Sequence, residues 1–211
     1  MGKDDGRGSR GHMLDAAIVL MRGSGLSGAG INEIVRESGS PKGSMYHFFP
    51  GGKVQLCAEA LRLYSLGVTE FIDAALASKD APGEKVKALF DAFARRVGEG
   101  GFHKSCAAGA VTLDLDDGMD ALRVVLDRAF SDWITAIAGH FHFTDARKTR
   151  SFAGLVLTAI EGAYIRCRAE RSSRPFRETG TWLAELADRH AQSDAAPRTT
   201  RPPGGRRRHD N

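Results

Sequence analysis

Apolar positions recur at helical spacing along this chain. Met13, Ala16, Ala17, Leu20 and Met21 follow the i, i+3, i+4, i+7, i+8 stripe of an amphipathic helix that stops at Gly23 to Gly25. Leu26 is then expected to drop into a small core. Ile31, Ile34 and Val35 mark a second helix over Ile31 to Ser38, and Glu37-Ser38-Gly39-Ser40 supplies a tight turn with glycine past the helix end. Met45 and Phe49, four apart, give the packed side of a third helix, which Pro50-Gly51-Gly52 ends. A long fourth helix from Lys53 to Ala77 carries Cys57, Leu61, Tyr64, Val68, Phe71, Ile72 and Leu76 on its packed side. Beyond it, no convincing strand appears. Val86 to Val97, Ser105 to Leu115, Gly118 to Phe141, Asp145 to Arg171 with Thr144 as its cap, and a segment starting at Pro175 read as further helices. The fold class is all-α.

The short third helix has a distinctive layout. Ser40 is read as its cap and Pro41 as its first residue, a position that needs no N–H. Lys42, Ser44, Tyr46 and His47 point away from the Met45–Phe49 face and are free for a partner. Lys42 and Lys53 flank the helix and can neutralise phosphates. Tyr46 and His47 offer hydrogen bonds to phosphate oxygens, and Ser44 can reach a base edge. Gly43, without a side chain, lets the helix start approach a groove closely. For Phe48, packing is the favoured role. Helix, glycine turn and second helix make a helix-turn-helix, the layout of a DNA reader.

Read together, these residues resemble the N-terminal domain of the TetR family of bacterial transcriptional regulators. The family pattern appears as Met13 to Met21, Gly25-Leu26, Ile31 to Ser38 and Lys42-Gly43-Ser44-Met45-Tyr46-His47-Phe48-Phe49. Gly51-Gly52-Lys53 is similar to the subgroup related to the LmrA and YxaF regulators. Gly30 stands where many relatives carry a Ser or Thr cap, and Phe48 where many carry a second His. The resemblance implies a homodimer through the last two helices of each subunit and a palindromic operator with half-sites about one helical turn or more apart. It also implies a pocket for a hydrophobic or aromatic effector.

Three regions follow: a helix-turn-helix head over 1–53, a ligand-binding and dimerisation body over 54–189, and a basic tail over 190–211 expected to be disordered. The helix from Asp145 to Arg171 is apolar over a wide arc, which a monomer surface cannot easily hide; a partner helix, joined by the Trp182 to Leu186 stripe, is the simplest cover. For the pocket wall the candidates are Phe90, Phe93, Phe102, Cys106, Leu113, Trp133, Ile137 and Tyr164, with Glu161, His103 and His140 as polar anchors. Ordinary core is the competing role for each taken singly.

Charge and cysteine usage sharpen this picture without creating it. Net charge is +4, with seven Lys/Arg against five Asp/Glu up to Lys53 and five Arg against two Asp from His190 onward. Cys57, Cys106 and Cys167 are odd in number and outside any CxxC spacing, so neither a disulfide framework nor a zinc site is expected. No apolar run is long enough to span a membrane and Met1 to Arg10 lacks a signal pattern, so a cytoplasmic location is expected.

Other motifs fail on context. Gly23-x-Gly25-x-x-Gly28 follows a helix and lacks a βαβ unit. The run from Asp114 to Asp120 breaks the calcium-loop pattern at Gly118 and Val125. His140 and His142 diverge on a helix, and His103 with Cys106 has no orienting group beside it. No enzyme, metal or cofactor is expected. The leading expectation is a repressor released from DNA by a small hydrophobic or aromatic molecule. The alternative is a ligand-independent architectural DNA-binding protein that uses Arg206 to Arg208 for sequence-neutral affinity.

Overall fold

The computed structural model describes residues 8–195, and among them every regular element is a helix. A head is formed by α1 (Gly8–Gly28), α2 (Ile31–Ser38) and α3 (Lys42–Phe48). From it α4 (Gly52–Ala77) runs into a body of α5 (Pro82–Glu99), α6 (Ala107–Thr112), α7 (Asp120–Gly139), α8 (Ala146–Glu170) and α9 (Arg174–Ala195).

Helices as short as α2 and α3 are marginal alone, so their persistence depends on burial. Met13, Ala17 and Met21 of α1 are fully buried together with Ile34, Met45, Phe49 and Leu56. Each large apolar side chain removed from water contributes about 1.5–3 kcal/mol, enough to hold the pieces together. Leu26 joins this core. Between α2 and α3, Gly39 takes the left-handed conformation (φ 62°, ψ 14°) and its N–H donates to the Arg36 carbonyl. That conformation strains any residue with a Cβ, which makes glycine the natural occupant of the turn.

α1 breaks where the glycine run predicts. Ser24 (φ −141°, ψ 18°) and Gly25 (φ 66°, ψ −163°) leave helical geometry, after which one more turn reaches Gly28. The Gly25 backbone angles are essentially glycine-only, and a Cβ there would also collide with the Asp114 carboxylate.

In the body, α5 and α9 cross so closely that a Cβ on Gly180 would lie 2.6 Å from that of Phe90. Phe93 and Phe176 stack beside this crossing at 5.8 Å, with Tyr164 of α8 edge-on to Phe176 at 5.2 Å. Asp188 of α9 accepts the Gly83 N–H at 2.8 Å and so caps α5 from another helix. Trp133 ties α7 to α4, its indole N–H donating to the Ser65 carbonyl at 3.1 Å.

Several helix ends differ from expectation. Ser40 does not cap α3: its side chain is buried, and Oγ donates to the Ser9 carbonyl at 3.3 Å, tying the turn to the start of α1. Pro41, extended at φ −62° and ψ 136°, occupies the cap position instead of the first helical one, and no side chain caps the helix. Asp145, not Thr144, caps α8, because Asp145 immediately precedes the first helical residue and its Oδ1 accepts from the Arg147 N–H at 2.8 Å. α6 is shorter than its apolar run, and α7 begins at Asp120 because Asp116 Oδ1 accepts the Gly118 N–H and shapes a turn there. Residues 190–195, assigned to the tail, continue α9; residues 196–211 lie outside the described residues, as does Arg206 to Arg208. Among the described residues no helix is long and apolar enough to cross a membrane.

Candidate functional site

Two surfaces stand out, one on the head along α3 and one in the body beside the end of α1. On the head, Met45 and Phe49 anchor α3 inward and Phe48 packs half-buried against the same core, while Pro41, Lys42, Gly43, Tyr46 and His47 face solvent and Ser44 is partly exposed. Tyr46 is 55% exposed, unusual for an aromatic ring on a helix whose other face is sealed. Lys53 is placed differently from Lys42. Its ammonium donates to the Leu26 carbonyl at 2.7 Å, because the first turn of α4 lies over the end of α1. This bond ties the start of α4 to the end of α1, a contact that the phosphate-facing role expected for Lys53 did not include. Arg10 stacks over the Phe49 ring at 5.4 Å and pairs with Glu59, adding a second strap between α1 and α4.

In the body, a cavity of about 600 Å³ opens between α1, α6, α7 and α8. Of the expected wall residues it brings together Cys106, Leu113, Glu161 and Tyr164. Leu113 is 80% exposed and so sits at an open edge. Phe90 and Phe93 instead fill the α5–α9 core, Trp133 and Ile137 are buried between α7 and its neighbours, and Phe102 lies in the turn after α5 with φ 64°. His140 pairs with Asp73 at 2.9 Å, away from the cavity, and His103 is exposed. Residues that periodicity did not single out complete the wall: Gly23 to Gly25, Gly109, Ala110, Phe130, Ile165 and Arg168 among them. The run Ala107-Ala108-Gly109-Ala110 was a usable signal, since four small residues in a short helix let a neighbour approach closely. At Gly109 that neighbour is the Glu161 carboxyl, which a Cβ would strike.

The electrostatics of the cavity are set by burial. Desolvation raises the Glu161 carboxyl to about 7, opposed only by the Cys106 thiol that hydrogen-bonds its charged form. The same cause pushes the Cys106 thiol and the Tyr64 and Tyr164 phenols up, so all three stay neutral near neutrality. Among the described residues no group of three or more His, Cys, Asp or Glu side chains is placed to hold a metal ion.

The cavity and head are strapped together. Ser105, just before α6, donates its N–H and hydroxyl to the Arg22 carbonyl at 2.9 and 3.1 Å, and Arg22 Nε donates back to the Ser105 carbonyl at 3.0 Å. Asp114, just after α6, accepts from Ser27 N and Oγ at 2.9 and 3.1 Å.

Among the described residues, an exposed helix-turn-helix on a helical body is the architecture of a DNA-binding protein. Residues 13–60 match the family model of bacterial regulatory proteins of the tetR family, and residues 82–181 match that of the transcriptional regulator LmrA/YxaF-like C-terminal domain. The chain belongs to the TetR family, whose members are DNA-binding transcriptional regulators, typically homodimeric, and not enzymes. It is 30% identical over 195 residues to the HTH-type transcriptional regulator Rv0196 of Mycobacterium tuberculosis, covering 87% of this chain and 98% of that relative. It is 27% identical over 183 residues to the HTH-type transcriptional regulator LmrA of Bacillus subtilis, covering 86% and 97%. Among solved structures, the regulatory protein TetR from Rhodobacter sphaeroides superposes with a TM-score of 0.73 at 19% identity over 84% of this chain and 97% of that one, a likeness of fold.

Proposed function

We propose that the protein is a homodimeric repressor that occupies a palindromic operator and is released when a small hydrophobic or aromatic molecule enters the cavity between α1, α6, α7 and α8. The observation that carries this reading is the shared wall: Gly23 to Gly25 belong to the helix that cores the head and also line the cavity. A ligand that displaces α6 pulls on the Arg22–Ser105 and Ser27–Asp114 bonds and so on the head itself. To lower operator occupancy a thousandfold, the ligand must favour the released state by about 4 kcal/mol across the dimer.

Pro41, Lys42, Gly43, Ser44, Tyr46 and His47 form the DNA-facing surface in this reading, while Ser40 and Lys53 hold the head's geometry. The head and body divide near residue 53. The dimer forms through α8 and α9, which present Leu155 (46% exposed) and Trp182 (69% exposed) to solvent. Apolar side chains this exposed on two neighbouring helices support a covering partner. A DNA-bound regulator acts in the cytoplasm.

The test is selection of bound DNA from a random pool at near-physiological salt, then titration of the enriched duplex with candidate effectors. An enriched palindrome, released by an amphipathic aromatic compound, is the expected result. No enrichment overturns sequence-specific repression, and enrichment that no cavity-binding compound reverses overturns the ligand-released part.

A further inference from the structure

The cavity is apolar along Leu113, Phe130, Tyr164 and Ile165, yet its inner wall holds an ionisable group with no countercharge. Glu161 projects from the middle of α8 toward α6, where Gly109 leaves room for the carboxyl. Among the described residues no Lys, Arg or His group pairs with it, and the Cys106 thiol is its hydrogen-bond partner. The cations nearby are engaged elsewhere: Arg22 bonds the Ser105 carbonyl and lies over the Tyr64 ring at 5.9 Å, and Arg96 lies over the Phe71 ring at 4.9 Å. Arg168 lines the cavity seven residues along α8, about 10 Å away along the helix axis, and is exposed to screening by solvent. Asp114 has both Ser27 donors on its carboxylate.

A carboxyl desolvated without a countercharge is costly, and a cation brought by a ligand lowers that cost while an isosteric neutral group does not. Tyr164 and Phe130 line the same space, and ring faces attract a cation as well. Resting on the effector reading of this cavity, we propose that its ligand is an aromatic or amphipathic molecule bearing a positively charged nitrogen, which pairs with the Glu161 carboxylate.

The pairing has a proton signature. With the free carboxyl raised to about 7, a permanently charged ligand must displace a proton, so its affinity climbs as pH rises through neutrality. The other titratable or charged groups facing Glu161 are Cys106 before α6, Tyr64 of α4 and Tyr164 of α8, all raised by burial, with Arg22 of α1 and Arg96 of α5 charged throughout. None of these changes charge between about pH 6 and pH 8.

The experiment is calorimetric titration of the full chain with a matched pair: a hydroxynaphthylmethyl-trimethylammonium ion and its neopentyl isostere, in which carbon replaces nitrogen. The cation is expected to bind about tenfold or more tighter than the isostere at about pH 8, with the ratio shrinking toward pH 6. Glu161→Gln, which mimics the protonated acid, should erase both the preference and its pH dependence, whereas Arg168→Gln should leave both in place. Equal binding of the pair, or a preference that survives Glu161→Gln, overturns the cation assignment while the cavity stands as a binding site. Binding of neither compound counts against the cavity as an effector site, and the cation assignment falls with it.

Discussion

Replacing Lys53 with methionine separates an internal strap from a DNA contact. The substitution keeps the aliphatic stem, which packs half-buried at the start of α4, and removes only the ammonium that donates to the Leu26 carbonyl at 2.7 Å. A hydrogen bond from a charged donor is worth about 1.5–3 kcal/mol, and partial exposure brings this toward the lower end, about 1–2 kcal/mol. For a chain of this size, each kcal/mol moves the melting temperature by about 2–4 °C. The salt dependence of operator binding reads the other role. A lysine that neutralises one phosphate contributes about 0.9 to the slope of log affinity against log salt, so losing it from both heads of a dimer flattens the slope by about 1.8. Lys53→Met is therefore expected to lower stability and leave the slope unchanged, and Lys42→Met to do the reverse. The measurements are urea unfolding of the two variants and fluorescence anisotropy of labelled operator across a salt series. A Lys53→Met protein of full stability whose slope is flattened by about two refutes the internal-strap assignment.

The remaining outcomes are more local. Tyr46→Ala is expected to weaken operator binding by about tenfold or more while sedimentation shows the dimer intact, since the ring is exposed and supports no core contact. Leu155→Asp or Trp182→Asp is expected to shift the protein toward monomer in sedimentation at micromolar concentration, because each places a charge on an exposed apolar position of α8 or α9; an undisturbed dimer would move the interface elsewhere. Asp188→Ala should cost about 1 kcal/mol in urea unfolding by uncapping the buried Gly83 N–H of α5. Glu161 is more readily ionised in the unfolded chain than in the folded one, so its burial penalty is absent below about pH 4.5, grows as pH rises and is complete above about 7. Between those limits wild-type stability should fall, relative to Glu161→Gln, by about 3 kcal/mol. Parallel stability curves for the two proteins would show that the carboxyl is not desolvated.

The proposed release by a ligand needs a physical route from cavity to head, and the break in α1 is where the structure joins the two. Gly25 adopts backbone angles essentially closed to other residues and sits against Asp114, so α1 turns away at the point where α6 arrives. A continuous helix would carry the end of α1 past α6 without this junction. The two sets of hydrogen bonds on either side, Arg22 with Ser105 and Ser27 with Asp114, then fix the junction at both ends of α6. Because both ends are held, the proposed release would carry a change in α6 position to the head through the Arg22 to Ser27 segment.

What the sequence disclosed and what it withheld divide along the range of the interactions involved. Helix periodicity is local, and the stripes at Met13 to Met21 and along α4 coincide with buried residues except at Leu20 and Phe71, which are half-buried against the same core. The Gly39 turn is local too, since a left-handed angle follows from a short segment and its lack of a Cβ. The cavity is not local. Trp133 and Tyr164 look alike as bulky residues on apolar helices, yet one hydrogen-bonds to Ser65 within the core and the other lines the open space. Which of them meets a void depends on how three other helices cross, and no spacing within one helix encodes that. The same limit applies to Ser40, whose hydroxyl can cap its own helix or reach a carbonyl thirty-one residues away; the neighbouring α1 decides, and the side chain turns inward. Lys42 and Lys53 make the point most sharply. Both are lysines at the margins of the same short helix, equally placed by sequence to meet a phosphate. Only the fold, by setting the Leu26 carbonyl 2.7 Å from one ammonium, tells the two apart: Lys53 is bonded to the head and Lys42 stands exposed.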